Sequence, residues 1–157
     1  MIVVVMGVSG SGKTTIGQAL AAALGWKYLD ADDYHPAANV AKMAAGTPLQ
    51  DSDRWPWLDR LNAALEKEVN AVLGCSALKE SYRQRLTAGL HGYRIVYLRG
   101  SFELLSKRAA ERKHRFMPAS LLKSQFDTLE PPAGAIEVDV AQPVEDCVRR
   151  ILDALGR

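Results

Sequence analysis

A glycine-rich run near the N-terminus most closely limits what this chain can fold into. Residues 7–14 read GVSGSGKT and match the phosphate-binding loop pattern G-x-x-x-x-G-K-[S/T]. The short apolar run 2–6 precedes the loop and is typical of a buried parallel strand. Residues 14–24 follow with helical spacing of apolar side chains, and Gly25 is placed to end that helix. Strand, loop and helix in this order are the context that a phosphate-binding loop requires.

The chemistry of such a loop indicates a nucleotide site. Its glycines let backbone N–H groups converge on phosphate oxygens, and the following helix adds its positive N-terminal end. Lys13 can reach the β- and γ-phosphates and act in catalysis, and the Thr14 hydroxyl can bind Mg²⁺. The residues that we expect to contact ATP here are Gly7, Ser9, Gly10, Ser11, Gly12, Lys13, Thr14 and Thr15.

The composition predicts one globular domain. The chain has 157 residues, of which 48% are hydrophobic, as is ordinary for a domain with its own core. A net charge of +2 argues against nucleic-acid or membrane binding through bulk charge. Cys75 and Cys147 lie far apart, which favours reduced thiols in the cytoplasm over a disulfide scaffold. We expect no secretory signal and no membrane span, which would need roughly 18 consecutive apolar residues.

Apolar runs alternate with helical patterns along the chain. The alternation predicts an α/β fold, a three-layer sandwich with a five-stranded parallel sheet and helices on both faces. Ligands of such sheets bind beyond the carboxyl ends of the strands. The predicted strands are 2–6, 27–30, 70–74, 94–98 and 136–140. The predicted helices are 14–24, 36–45, 55–69, 78–88, 102–113, 119–129 and 143–155.

An acidic segment, DADDYHP at 30–36, follows the second predicted strand. Three neighbouring carboxylates repel one another, so a nucleotide-bound Mg²⁺ would be a suitable counter-charge. In an extended segment Asp30 and Asp32 would share one side. We expect Asp32 to be the base that accepts a hydroxyl proton, and Asp30 to bind Mg²⁺ through water. The alternative is an acidic turn that caps the next helix, which we favour for Asp33.

The segment GTPLQDSDRWPWL at 46–58 places Arg54 between two acids and two tryptophans. A guanidinium is suited to bidentate capture of a carboxylate or phosphate, so we expect Arg54 to bind substrate. The alternative is a surface loop that ends where a helix begins at Trp55 and Pro56. For Trp55 and Trp57 we favour core packing.

The third predicted strand ends in CSALKESYR at 75–83. Ser76 suits a helix N-cap, and Lys79 and Arg83, four residues apart, would project from one helix face. Two cations and a hydroxyl at a strand end could bind an anionic polyol. The alternative is a capped helix with a solvated basic face. We interpret Cys75 as a small buried residue.

The segment 107–118 is dense in positive charge. Arg108, Arg112 and Arg115 are spaced i, i+4 and i+7 and would lie on one helical face. Arginines on a closing helical lid would stabilise the transferred phosphoryl group and exclude water. A solvated helix face or a nucleic-acid patch would be the alternative, and the low net charge argues against the latter. We interpret His114 as a surface or lid histidine.

Together these motifs identify a family. The chain resembles the bacterial-type gluconate kinases (gluconokinases), small P-loop kinases with a nucleoside-monophosphate-kinase-like fold. The resemblance extends over most of the chain, and several of its motifs have no reason to occur in an unrelated P-loop protein. The matching stretches are 7–14, 29–36, Asn39 with Lys42 and Met43, 46–58, 75–83 and 116–132. The chain departs from the family at 114–115, and it is short before Val72 and between 132 and 138.

The resemblance implies ATP-dependent phosphorylation of D-gluconate at O6 with Mg²⁺, by a cytoplasmic homodimer. It implies one P-loop kinase domain over 1–157, with a lid at about 112–118 and a substrate-facing helical part at about 36–69. Arg112 would be catalytic and would bind ATP together with Arg108, Gln142 and Pro143. Gluconate would contact Asp32, His35, Lys42, Arg54, Ser76, Lys79 and Arg83.

Two other functions fit part of the pattern. A shikimate-like or nucleotide kinase would share the loop and the lid, but the runs at 35–36 and 75–78 are not expected in either. A regulatory module could bind ATP without turning it over. The joint presence of Lys13, Thr14, Asp32 and the lid arginines argues against such a module.

Overall fold

A computed structural model of the protein describes residues 1–111 and 119–157. The strands are β1 (Ile2–Met6), β2 (Lys27–Asp30), β3 (Ala71–Gly74), β4 (Tyr93–Arg99) and β5 (Ile136–Asp139). The helices are α1 (Lys13–Leu24), α2 (Ala37–Ala44), α3 (Asp51–Glu66), α4 (Glu80–Thr87), α5 (Phe102–Glu111), α6 (Ala119–Thr128) and α7 (Val144–Ala154). A 3₁₀ turn, Ala31–Tyr34, follows β2. None of the helices in these ranges has the length and apolar character needed to cross a membrane.

The five strands form one parallel sheet in the order β2-β3-β1-β4-β5. β1 is central and all five of its residues are buried, because both faces of the sheet are covered. The chain adds β2 and β3 on one side of β1, then crosses to the other side for β4 and β5. This reversal places a crevice beyond the carboxyl end of β1, where ligands of such sheets bind. The predicted α/β sandwich is confirmed.

Alternate residues of β1 divide the core into two layers. Val3 and Val5 belong to the layer that includes α1 and α7, with Ile16, Leu20 and Ile151. The opposite face carries Ile2, Val4 and Met6 and packs on α3 and α4 through Leu58, Leu61, Tyr82 and Leu86. The helices therefore cover both faces because the strand side chains point alternately to each.

Two predicted helix starts are wrong. α3 begins at Asp51, not at residue 55, because Gln50 and Asp53 form a reciprocal capping box that adds a turn. α4 begins at Glu80 with Lys79 as its N-cap, so Ser76 does not cap it. Arg54 therefore lies inside a helix, and Lys79 and Arg83 do not project from one helix face.

Candidate active site

The phosphate loop joins β1 to α1 at the carboxyl edge of the sheet. Gly10 and Gly12 have φ angles of +83° and +95°, which other residues rarely adopt. Gly7 is limited by space, because a Cβ there would lie 2.6 Å from the Ser11 Oγ and 3.1 Å from the Leu98 carbonyl oxygen. The backbone of this loop therefore favours glycine at both positions that the motif specifies, 7 and 12, and also at Gly10.

The Lys13 side chain bonds to backbone carbonyl oxygens of the phosphate loop. Its Nζ donates to the carbonyl oxygens of Gly7 and Val8 at 3.0 and 3.1 Å. The Ser11 N–H donates to the same Val8 oxygen at 3.2 Å. Burial raises the pKa of the Cys75 thiol to about 12, and the charge of Lys13 partly opposes that shift. Cys75 is the small buried residue that the sequence predicts.

The acidic segment turns immediately after β2. Asp30 Oδ1 accepts a hydrogen bond from the Asp32 N–H at 3.0 Å and caps the 3₁₀ turn. The expectation of an extended segment with both carboxylates on one side is therefore wrong. α2 has Pro36 as its N-cap and no side-chain cap, so Asp33 does not cap the next helix. The Asp32 side chain is 78% exposed, so its carboxylate is open to a ligand.

His35 lies beside Asp32 in a defined tautomer. The Asn39 amide donates to the Asp53 carbonyl oxygen at 2.9 Å and lies 3.2 Å from His35 Nδ1. Because the carbonyl needs a donor, the amide nitrogen faces both partners, and Nδ1 is the acceptor. Nε2 then carries the proton and lies 4.0 Å from Asp32 Oδ1. The ring also stacks on Trp57 with centroids 4.3 Å apart.

Burial lowers the pKa of His35, and the Arg54 charge lowers it further, against the opposing effect of Asp32. The neutral imidazole is therefore the favoured form near neutral pH. Trp57 supports the same region, since its Nε1–H donates to the Ala31 carbonyl oxygen at 2.7 Å. Trp57 is buried, and Trp55 packs partly buried against the same core, as predicted.

The Tyr28 side chain packs against Gly17 of α1 and Gly74 at the end of β3. Burial raises the pKa of its phenol, whose oxygen has no hydrogen-bond partner among the described residues. The negative charges of Asp30, Asp32 and Asp33 raise it further. The Thr14 hydroxyl and the Asp30 carboxylate are oxygen donors of the kind that Mg²⁺ prefers. Within the described ranges, His, Cys, Asp and Glu side chains form no cluster of three able to hold a metal.

A second charged cluster lies where α3 meets α4. The Asp51 carboxylate accepts a hydrogen bond from the Tyr82 hydroxyl at 2.5 Å. It also lies 3.3 Å from Arg54 Nη1 and 3.7 Å from Lys79 Nζ. Arg54 and Lys79 lie 5.4 and 5.6 Å from the centroid of the Tyr82 ring. Two partly exposed cations share one carboxylate and one aromatic face, so the cluster keeps an excess positive charge. The structure brings Arg54 and Lys79 together as a candidate carboxylate site.

Lys42 and Arg83 are bound to protein groups. Lys42 Nζ lies 2.8 and 2.9 Å from the two Asp53 carboxylate oxygens, with 40% of its side chain exposed. Arg83 is 4% exposed, and its five N–H groups all have acceptors within the protein. The acceptors are the Glu80 carboxylate and the carbonyl oxygens of Ala77, Leu78 and Glu130.

The expectation that Arg83 binds substrate is therefore corrected, because no N–H of its guanidinium is left for a ligand. Its role is to hold the loop between β3 and α4. Ala77 in that loop has a φ of +44°, an uncommon angle for alanine, and its carbonyl oxygen accepts from Arg83 at 2.7 Å. Ser76 and Lys79 lie on this same loop.

Of the other residues expected to bind ATP, Arg108 bonds to the backbone next to the loop after β5. Arg108 on α5 donates to the Val140 carbonyl oxygen at 2.6 Å, which draws α5 to the loop after β5 that contains Gln142 and Pro143. Arg112, His114, Arg115 and the predicted lid at 112–118 lie outside the described residues.

Sequence reasoning did not single out Asp51, Tyr82 or Gln125. Asp51 lies three residues before Arg54, and this acid–base spacing could have indicated an ion pair once the helix start was known. Gln125 on α6 bonds to Ser9 of the phosphate loop, 116 residues away. No local pattern in the sequence indicates that contact.

Comparisons with known proteins agree with this geometry. A family model described as an AAA domain matches residues 2–132. A "Probable gluconokinase" from Xenopus tropicalis is 47% identical over 100% of this chain and 94% of its own length. The thermosensitive gluconokinase of Escherichia coli is 43% identical over 95% of this chain and 86% of its own length.

A solved structure gives the same result. The crystal structure of a gluconokinase from Sinorhizobium meliloti matches with a TM-score of 0.90 and 46% identity. The match covers 99% of this chain and 91% of that chain. This sequence identity extends over nearly the whole length, and it includes the phosphate loop and the polar segments that follow the strands. The chain therefore belongs to the gluconokinase family of P-loop kinases.

Proposed function

We propose that this protein transfers the γ-phosphoryl group of ATP to O6 of D-gluconate, giving 6-phospho-D-gluconate and ADP. The observation that carries the proposal is the meeting of three kinds of group at one edge of the sheet. These are the phosphate loop, the acidic turn with Asp32, and the paired cations Arg54 and Lys79. They follow β1, β2 and β3, three adjacent parallel strands of the sheet whose carboxyl ends lie at the same edge.

Asp32 is the general base of the proposed reaction. Its exposed carboxylate accepts the O6 proton as the bond between O6 and the γ-phosphorus forms. The bond from the γ-phosphorus to the bridging oxygen breaks at the same stage, and that oxygen leaves on ADP. His35 lies beside Asp32, with Nε2 4.0 Å from Oδ1.

Lys13 and the loop amides stabilise the charge that spreads over the transferred phosphoryl group. Arg112 adds positive charge from the proposed lid at about 112–118. Arg108, Gln142 and Pro143 contribute to the ATP site at the loop after β5, where Arg108 already bonds to the backbone. Thr15, at the start of α1, completes the nucleotide contacts.

The substrate carboxylate binds to the excess positive charge of Arg54 and Lys79. The proposed polyol contacts are His35, Lys42 and Ser76 on the surrounding segments. Residues 36–69 form the substrate-facing part of a single domain that spans 1–157.

The site fits Mg²⁺ in its donor chemistry. The Thr14 hydroxyl, and Asp30 through water, would hold the ion. When bound, Mg²⁺ would neutralise charge on the ATP phosphates. We further propose a homodimer in the cytoplasm, and the buried free thiols of Cys75 and Cys147 fit a reducing compartment.

A coupled assay of ADP release with Mg-ATP tests the proposal against a panel of acceptors. The panel contains gluconate, other aldonates, shikimate and nucleoside monophosphates. Turnover with gluconate above all others is expected. Turnover with shikimate alone would support the shikimate-like alternative, and bound ATP without turnover on any acceptor would support a regulatory module.

A further inference from the structure

The Gln125 amide on α6 makes a two-point contact with Ser9, the third residue of the phosphate loop. Its Oε1 accepts from the Ser9 N–H at 2.7 Å, and its Nε2 donates to the Ser9 Oγ at 3.0 Å. Both ends of the amide are therefore used on one residue, and both contacts are partly buried. A paired contact of this kind fixes orientation as well as distance.

Neighbouring side chains hold Gln125 in place. Leu122, one turn earlier on α6, is 1% exposed and belongs to the core. Phe126 packs edge-on against Phe102 of α5 with centroids 5.7 Å apart. After the helix, the Glu130 N–H donates to the Leu78 carbonyl oxygen at 2.8 Å. α6 is thus held by core packing, by a ring contact with α5 and by a backbone hydrogen bond after its end. These contacts fix the position from which Gln125 bonds to the phosphate loop.

The Ser9 N–H and the Val8 carbonyl belong to the same peptide unit. Because a trans peptide is planar, its N–H and C=O point to opposite edges. Gln125 holds the N–H edge, while Lys13 Nζ at 3.1 Å and the Ser11 N–H at 3.2 Å hold the carbonyl edge. The orientation of this one peptide therefore links Gln125 with the ammonium group of Lys13.

We propose that Gln125 is a positioning residue for phosphoryl transfer. It fixes the orientation of the Val8–Ser9 peptide, and this peptide in turn holds the ammonium group of Lys13 and the backbone of the phosphate loop. Loop donors work best when they are held in place before the nucleotide arrives, because no ordering is then required on binding or reaction. The inference rests on the proposed function for its kinetic test. Its binding test needs only ATP.

Gln125→Met tests the proposal, since methionine has nearly the same length but forms neither hydrogen bond. We expect kcat to fall and KM for ATP to rise, with a combined loss in kcat/KM of about tenfold or more, as for the loss of about one net hydrogen bond. KM for gluconate should stay close to wild type, while the loss of two part-buried hydrogen bonds should lower the thermal midpoint by a few degrees. Titration with ATP should show the weaker binding without turnover.

Two further variants sharpen the test. Ser9→Ala keeps the N–H contact and loses the Oγ contact, so its loss should be smaller than that of Gln125→Met. Lys123→Met is the matched control, because Lys123 lies on the same helix in an exposed pair with Asp127 at 3.2 Å. It should behave as wild type.

Wild-type ATP affinity and turnover in Gln125→Met would overturn the proposal. So would an equal rise in both KM values, because that pattern indicates a purely structural role. If the wild type does not phosphorylate gluconate, the proposed function fails. The ATP titration of Gln125→Met still decides whether Gln125 positions the loop.

Discussion

The Tyr82 hydroxyl donates to Asp51 at 2.5 Å, and this hydrogen bond is the largest influence that lowers the pKa of Asp51. The positive charges of Lys79 and Arg54 lower it further. Asp51 raises the pKa of Tyr82 in turn, and together with burial brings it to about 12. Near neutral pH the pair is therefore a neutral phenol and a carboxylate, which keeps one anion between two cations.

Arg54→Ala should mainly weaken binding of the sugar acid. The variant removes one of the two cations that face the proposed carboxylate site. We expect KM for gluconate to rise about 10- to 100-fold, as for the loss of a charged hydrogen bond of roughly 1.5–3 kcal/mol. Steady-state kinetics with each substrate varied measures this. Arg60→Ala, an exposed position on the same helix, is the control. A rise in KM for ATP alone would assign Arg54 to the nucleotide side.

Asp32→Asn should lower kcat by about 10²–10⁴-fold, the range for loss of a general base. The amide keeps the shape of the side chain but cannot accept the hydroxyl proton. ATP affinity, measured by titration, should stay near wild type. Asp33→Asn is the matched control, because Asp33 is the exposed neighbour in the same turn. Wild-type turnover in Asp32→Asn would rule out the base assignment.

His35 should make stability depend on pH. Its pKa is lowered in the fold, chiefly by burial, and its side chain is 5% exposed. The unfolded chain, with a pKa of about 6.5, therefore binds more protons below that value than the folded protein does. The contribution of His35 is full above about pH 6.5 and is lost as the pH falls through the lowered folded value.

Urea unfolding at pH 7.5 and pH 5.5 measures this dependence. Wild type should lose more stability between the two values than His35→Gln, which has no group to protonate. His91→Gln, at an exposed position, should keep the wild-type dependence. An equal loss in wild type and His35→Gln would show that other groups cause it.

The sequence predicts the fold and the loop well because both depend on local patterns. The glycine motif, the apolar strands and the alternation of elements are each readable within about ten residues. The start of α3 was missed because Gln50 and Asp53 form the capping box with a glutamine and an aspartate, an uncommon pair for that motif.

The substrate role given to Arg83 was wrong for a different reason. Its guanidinium bonds to Glu130, 47 residues away, as well as to the adjacent loop. The contact between Gln125 and Ser9 likewise joins distant parts of the chain. Spacing in the sequence reports which side chains share a helix face, but it does not report which of them are already occupied by partners brought in by tertiary packing.

Tyr28 occupies a slot that two glycines leave open, and each glycine should respond differently to substitution. A Cβ at Gly74 would meet the Tyr28 hydroxyl oxygen well inside contact distance, whereas a Cβ at Gly17 would lie 2.5 Å from the ring carbon Cε1. Overpacking of this kind costs about 1–3 kcal/mol. Gly74→Ala and Gly17→Ala should therefore both lower the free energy of unfolding.

Tyr28→Phe separates the two cases. It removes the oxygen that Gly74→Ala meets but leaves the ring carbon that Gly17→Ala meets. In urea unfolding, the Tyr28→Phe background should thus restore most of the free energy of unfolding that Gly74→Ala loses. The ring carbon Cζ, 3.2 Å from the added Cβ, must still shift slightly. Gly17→Ala should not be rescued. Equal rescue of both, or of neither, would contradict this packing, because only the hydroxyl distinguishes the two contacts.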